Sequence, residues 1–362
     1  LKLIKYLSVP LLILAFFICT DTIAQEGNLN VKNTEKSQNT NETEFNAREF
    51  IMDHVKDSHE WHILTKSNGE SVAIYLPVIL FSKEKGLVVF SSKRLAHGQI
   101  YKGFKVEEEG DQKGKIVAVN KDGIVDEGTF LIDLSFTKTA TGMLFAALIG
   151  LWVFISMARS YKKTGLSYPR GIQGFLEPIV LFVRDDIAAD IIGGHKYERY
   201  MPYLLSVFFF ILINNLMGMV PFPPPFGANV TGNIAVTGVL ATFSFIIIQI
   251  SGNKNYWRHI FATPGVPFWL LPIMIIVELI GIIAKPFALM IRLFANITAG
   301  HIVALSLVSL IFIFGSVALS PVSVVFVIFM DTIELLVAFL QAYIFTLLSA
   351  LFISLAVQEE HN

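Results

Sequence analysis

The sequence predicts an all-α polytopic membrane protein of five transmembrane helices, with a small, mostly β extracytoplasmic domain in front of them. Three observations carry that prediction. Hydrophobic residues make up 54% of the 362 and charged residues only 16%, a balance outside the range of ordinary soluble chains. Apolar segments long enough to cross a bilayer arrive in series from Ala140 onward. The residues before them break instead into short β-like runs, separated by Ser-Asn-Gly, Lys-Glu-Lys-Gly and Lys-Asp-Gly turns. A formal net charge of −1 gives no reason to expect a nucleic-acid partner.

Residues 1–24 combine Lys2 and Lys5, an apolar run from Leu7 to Ile18, and Thr22 and Ala24 just before Gln25, which reads as a cleavable signal peptide. An apolar run of about 12 residues is short for a span. The only cysteine, Cys19, falls inside it, so a cleaved chain would have no thiol for a disulfide, a metal site or a nucleophile. Residues 25–44 are polar, Asn-rich and free of aromatic side chains, and are expected to be a disordered linker. The β domain is expected over residues 45–135, with runs at Val72 to Phe81, Leu87 to Ser91, Lys115 to Asn120 and Thr129 to Leu134. Inside it His54, His59 and His62 lie close together beside Asp53, Asp57 and Glu60, a pattern compatible with a divalent metal. A solvated, membrane-surface or partner-contacting segment is the competing reading, and no metal or cofactor site is assigned there.

The membrane domain is expected over residues 136–362, with spans at about 140–159, 202–220 and 233–251 and two longer helices at 267–314 and 321–357. If the signal peptide exports the β domain, the first span ends inside. Arg159, Lys162, Lys163 and Arg170 follow it there, as the positive-inside rule requires. The second span returns outside at Pro221 to Gly227, and the third comes back to Lys254, Trp257, Arg258 and His259. Two further crossings leave the C-terminus in the cytoplasm. Between the first two spans, Ile179, Leu181, Phe182, Ile187 and Ile191 alternate with Arg184, Asp185, Asp186 and Asp190. That pattern predicts an amphipathic helix at the cytoplasmic interface, with a helix packed on the protein as the alternative. The 48 residues from Pro267 to Phe314 would extend about 72 Å as a helix, far beyond a hydrocarbon core of about 30 Å. Pro272 and Pro286 could bend this segment, yet no polar loop interrupts it. Strong tilt is the ordinary relief for such length, so the last two helices are expected to form a long, tilted antiparallel hairpin turning at 315–320.

Charges in such a hairpin need a reason. From Pro267 to Phe314 the formal charges are Glu278, Lys285 and Arg292, with His301 as a titratable fourth. A guanidinium in hydrocarbon costs about 3 to 17 kcal/mol depending on the reference state, and Arg does not deprotonate to escape it. In an antiparallel hairpin, residues at one level have a constant sum of residue numbers. Arg292 then falls level with Gln341, and His301 level with Glu334. Nine residues at about 100° each place His301 on the opposite side of its helix from Arg292. Glu278, Lys285 and Arg292 recur at seven-residue spacing and share a stripe with Asn296, while Glu334 and Gln341 are also seven apart. A His beside a carboxylate passes protons near neutral pH, whereas a fixed Arg stabilises a passing carboxylate and repels cations. Interhelical hydrogen bonds and ion pairs that merely hold the bundle together are the plainer alternative.

The run KPFALMIRLFANITAGH at 285–301 resembles the signature of the subunit a family of F-type ATP synthases. So do the last helix from Glu334, the stretch from Asn215 to Pro221 and the stretch from Thr231 to Thr237. The resemblance implies the stator half of a membrane rotary motor in a bacterial inner membrane. Its partners would be a ring of c proteolipid subunits, subunit b of the peripheral stalk and, indirectly, the F1 sector, all set in the lipid bilayer. Arg292 would be the essential arginine facing the ring carboxylate, between two aqueous half-channels lined or flanked by Asn215, Asn296, His301, Glu334 and Gln341. The chain has no Gly-rich phosphate loop, so catalysis would lie elsewhere in the complex, and no cofactor is expected here. The residues before the first span depart from the family pattern. A secondary transporter with a midplane solute site is the competing class; such folds show internal repeats and broken helices, and neither is visible.

Overall fold

The computed structural model describes residue 51 and residues 55–65, 71–83, 85–107, 114–120, 124–126, 130–164, 171–220, 223–262, 266–314 and 320–358. The expected signal peptide and linker, His54, the side chain of His62 and the turn at 315–319 lie outside the described residues.

The described strands form three small antiparallel sheets. β1 (Glu60–Thr65) pairs with β2 (Ser71–Tyr75). β3 (Pro77–Ser82) lies between β4 (Gly86–Ser91) and β7 (Leu131–Asp133), and β5 (Phe104–Val106) pairs with β6 (Ile116–Ala118). Alternation along β3 and β4 turns Val78, Leu80, Val88 and Phe90 inward, one face of a pleated sheet. They meet Leu95, Phe104 and Ile116 in a core of their own.

Two features differ from the sequence expectation. The run from Val72 to Phe81 is two strands, because Leu76 leaves the ladder: its N–H donates to His59 and its carbonyl accepts from Ser92. β1 lies in the His-rich segment that read as solvated, where it pairs with β2 and buries Trp61.

The strands stand on the first membrane helix, α1 (Lys138–Thr164). Backbone N–H groups at a helix start lack internal partners. Lys138 donates to the Ser58 carbonyl at 2.8 Å and Thr139 to Asp57 Oδ1 at 2.9 Å. Burial pushes the Asp57 carboxyl above its ordinary range, although the Thr139 N–H and neighbouring His59 pull the other way. Asp133 shows the opposite balance. Burial raises it too, but His59, whose Nε2 lies 3.5 Å from Asp133 Oδ2, and Ser135 together hold it below its usual range. Trp61 and Leu76 continue into the core of the helices, where they join Met143 of α1.

Five helices are long and apolar enough to cross a membrane: α1, α3 (Tyr197–Met219), α4 (Ile234–Ser251), α6 (Leu271–Phe314) and α7 (Ser320–Val357). The chain is a multi-pass membrane protein. Within a bilayer, helix association rests on close packing and interhelical hydrogen bonds rather than on hydrophobic transfer. The inward face of α7 is built for that: Ala338, Ala342, Thr346, Ser349, Ala350 and Ala356 are completely buried. At its C-terminal end, the carbonyl of Val357 accepts from Lys196 Nζ and Asn253 Nδ2, and the carbonyl of Ala356 accepts from the Asn253 N–H. These groups satisfy carbonyls left over at the helix end.

Between α1 and α3, α2 (Ile172–Phe182) runs on through a π-helical turn (Val183–Ala189). The apolar stripe expected at the interface is turned onto the protein here. Val183, Ile187 and Ala188 are wholly buried, and the Phe182 ring lies 5.5 Å from Tyr343 of α7. A short helix, α5 (Lys254–Phe261), separates α4 from α6.

The two long helices are each unbroken. α6 begins at Leu271, four residues later than expected, and its 44 residues extend about 66 Å. Pro286 lies inside it without ending it. Contacts between α6 and α7 run in opposite directions along the two: His301 meets Glu334, and Lys285 Nζ lies 5.4 Å from the centre of the Phe352 ring.

Candidate functional site

The polar residues of the membrane helices divide into two groups. One is internal and paired. His301 Nδ1 lies 2.5 Å from Glu334 Oε1, joining α6 to α7. The Glu334 side chain is 9% exposed and that of His301 18%. Gly300 lies beside the carboxyl group: a Cβ there would be in ordinary contact with Glu334 Cδ and Oε1, at 3.4 Å. The two side chains share one hydrogen bond, whose donor and acceptor are set by the imidazole tautomer.

Asn215, in α3, is the second internal group. Its Nδ2 donates to the Ala338 carbonyl of α7 at 3.1 Å, and its Oδ1 accepts from Thr231 Oγ1 at 2.6 Å. The loop that carries Thr231 is itself a junction. Thr298 of α6 donates to the Gly232 carbonyl, Gly232 donates its N–H to Asn229, and Asn233 caps α4 by accepting from the Ala235 N–H. A side chain at position 232 would strike Asn229, so glycine is required by close approach. Two sequence stretches that read as separate motifs thus form one hub joining α3, α4, α6 and α7. Gln341, on the inward face of α7, is buried as well, at 3% exposure.

The other group faces outward. Arg292 and Asn296 are exposed on α6, whereas Leu289, Leu293 and Ile297 on the opposite stripe are buried against the core. Sequence levels place Arg292 with Gln341. The structure separates them by face, one outward and one inward. Around Arg292 the exposed positions include Ala284, Ala288, Ala295 and Ala299. Small side chains there leave the guanidinium standing above a low surface that another helix can approach closely.

Some residues escaped the sequence reading. Asp331 stands one turn before Glu334 on α7 and is exposed; the signal was a carboxylate three residues from another, and a search keyed to seven-residue spacing passes over it. Thr231 and Thr298 hold the hub, and neither hydroxyl stands out in sequence. His259 of α5 lies 3.7 Å from Glu278 of α6, pairing the far end of that helix with its neighbour. Among the described residues no group of three or more His, Cys, Asp or Glu side chains is placed to hold a metal.

The sequence is similar to those of known proteins. A family model described as ATP synthase A chain matches residues 140–354, and one described as a domain of unknown function (DUF8433) matches residues 50–134. ATP synthase subunit a of Chloroherpeton thalassium is 48% identical over 236 residues, covering 64% of this chain and 69% of the relative. Subunit a of Myxococcus xanthus is 47% identical over 237 residues, covering 64% and 76%. ATP synthase subunit a 2 of Prosthecochloris aestuarii is 47% identical over 235 residues, covering 63% and 70%. With the family match spanning more than half its length, the chain belongs to the ATP synthase A chain family, whose similar members carry the name subunit a.

Proposed function

We propose that this chain is the stator subunit of a membrane rotary motor, in which Arg292 meets the carboxylates of a rotating ring of c proteolipids. One observation carries the reading. A permanent cation is presented outward on a membrane helix, in a face of small residues, while the titratable pair is kept inside. A lipid-facing arginine would be costly; one facing a ring carboxylate has a counter-charge, and it favours the ionised form of whichever carboxylate stands opposite. Protons cannot pass straight along a surface held by that fixed charge. They travel instead through two aqueous half-channels, one serving each side, with the ring carrying them between. His301 and Glu334 serve the half-channel on the side where α6 and α7 join. Asn215, Gln341 and Asn296 flank the route, and the name ATP synthase subunit a carried by similar relatives agrees with a stator role for the chain as a whole.

In this reading the chain lies in a bacterial inner membrane with its strands outside, its C-terminus in the cytoplasm and its two long helices strongly tilted. Residues 1–24 would be a signal peptide, 25–44 a linker, 45–135 an extracytoplasmic domain and 136–362 the membrane domain. Subunit b of the peripheral stalk holds the stator still, and the F1 sector receives the rotation. Arg292→Ala is expected to abolish ATP-driven proton pumping in inverted vesicles while the complex still assembles. Retained pumping would overturn the proposal.

A further inference from the structure

Glu334 is poorly placed to meet water by itself. Its side chain is 9% exposed and one oxygen is engaged by His301. Asp331 has the complementary properties. It is exposed, sits three residues nearer the start of α7, and makes no hydrogen bond or ion pair among the described residues. Positions three apart on a helix lie on one face with about 5–6 Å between their Cβ atoms, a gap that one water bridges. The charges it feels are those of Glu334 on its own helix and His301 on α6. Hydroxyl groups gather toward the same end: Ser306 and Ser309 on α6, and buried Ser323 on α7. A carboxylate within an apolar helix is a functional group by default, and this one leads from the helix end to the buried pair.

We infer that Asp331 is the outer proton relay of the His301–Glu334 pair. The inference rests on the proton-path reading of that pair given above. The Asp331 carboxylate takes a proton from hydronium at the end where α6 and α7 join, releasing water. The carboxylic acid then gives that proton, through one water, to the Glu334 carboxylate or to His301 and returns to its charged form. Asp331 acts through the pair and does not touch the ring. Its effect is largest when outside protons are scarce, because an exposed acceptor then determines how often the buried pair is reloaded.

The test uses inverted vesicles holding the complete membrane sector, stripped of the catalytic sector, whose lumen corresponds to the outer compartment. Passive proton flow is driven by a potassium diffusion potential while lumen pH is varied. Asp331→Asn is expected to conduct within about twofold of wild type at acidic lumen pH and about tenfold more slowly at alkaline pH. Asp331→Glu should restore the wild-type profile and Glu334→Gln should lose conduction at every pH. Superimposable Asp331→Asn and wild-type profiles would overturn the relay, as would a loss by the same factor at every pH, the mark of a structural defect. Wild-type conduction in Glu334→Gln would instead overturn the proton-path reading itself, so the two failures are distinguishable.

Discussion

α3 and α6 are both long apolar helices, yet they stand in opposite situations. Over the most apolar stretch of α3, 56% of the residues are buried inside the protein; over that of α6 the share is 6%. α3 is a central strut. Its Asn215 is fully bonded, to Ala338 of α7 and to Thr231, and its Phe208 ring packs edge-on against Phe339 of α7 at 5.9 Å. α6 buries a stripe through Ile282, Leu289, Leu293 and Ile297 against its neighbours and leaves an outward face, Arg292 included, exposed. The contrast teaches that a polar residue in a membrane helix has two distinct reasons to exist. Buried and bonded on both sides, it holds helices together; exposed and charged, it requires something outside the chain.

The largest test of that contrast is Arg292→Ala, expected to abolish pumping without loss of assembly, because the residue lies outside the internal packing. Next is the internal pair. His301→Glu combined with Glu334→His should recover more pumping than either single change, as coupled neighbours do. Equal defects in all three variants would show that the contact carries no shared function. Smallest in effect on transport, and opposite in kind, is Asn215→Leu. It removes one interhelical hydrogen bond, to Ala338, and one to Thr231 in the loop before α4, each worth about 0.6 to 2 kcal/mol in a membrane, and strands the Thr231 hydroxyl. Thermal unfolding of the detergent-solubilised complex should shift down in Asn215→Leu and stay unchanged in Arg292→Ala. The reverse ordering would break the comparison.

Much of this was legible in the amino-acid sequence, for identifiable reasons. Spans are visible because crossing hydrocarbon demands long apolar runs, and the bounds of α1, α4 and α7 fall within a few residues of those expected. The common level of His301 and Glu334 follows from the constant-sum rule for two antiparallel helices, and the structure brings the two side chains into contact there. Faces were harder. Arg292 and Gln341 share a level by that rule, but which way each points depends on how α6 and α7 are rotated against α3 and α4, and that depends on the whole set of small residues on α7. Asn215 reads as a route residue by resemblance, and its bonding explains it equally well as a tie. β5 spans only three residues, too few for an alternating pattern to stand out in sequence. α2 illustrates a further blind spot: an amphipathic stripe suits a lipid interface or a protein surface alike, and only the burial of Val183 and Ile187 decides.

The central claim is that the bare face of α6 around Arg292 is a contact surface for a proteolipid ring. Cross-linking in the intact complex tests it most directly, using single cysteines placed in a background without Cys19, the only native cysteine. Ala295→Cys, on the exposed face beside Arg292, is expected to form a disulfide-linked product with a small proteolipid that carries a membrane cysteine, while Ile297→Cys, on the buried stripe, forms none. If Ala295→Cys gives no proteolipid product and is labelled only by lipid-dissolved reagents, that face borders the bilayer and the account of Arg292 is wrong.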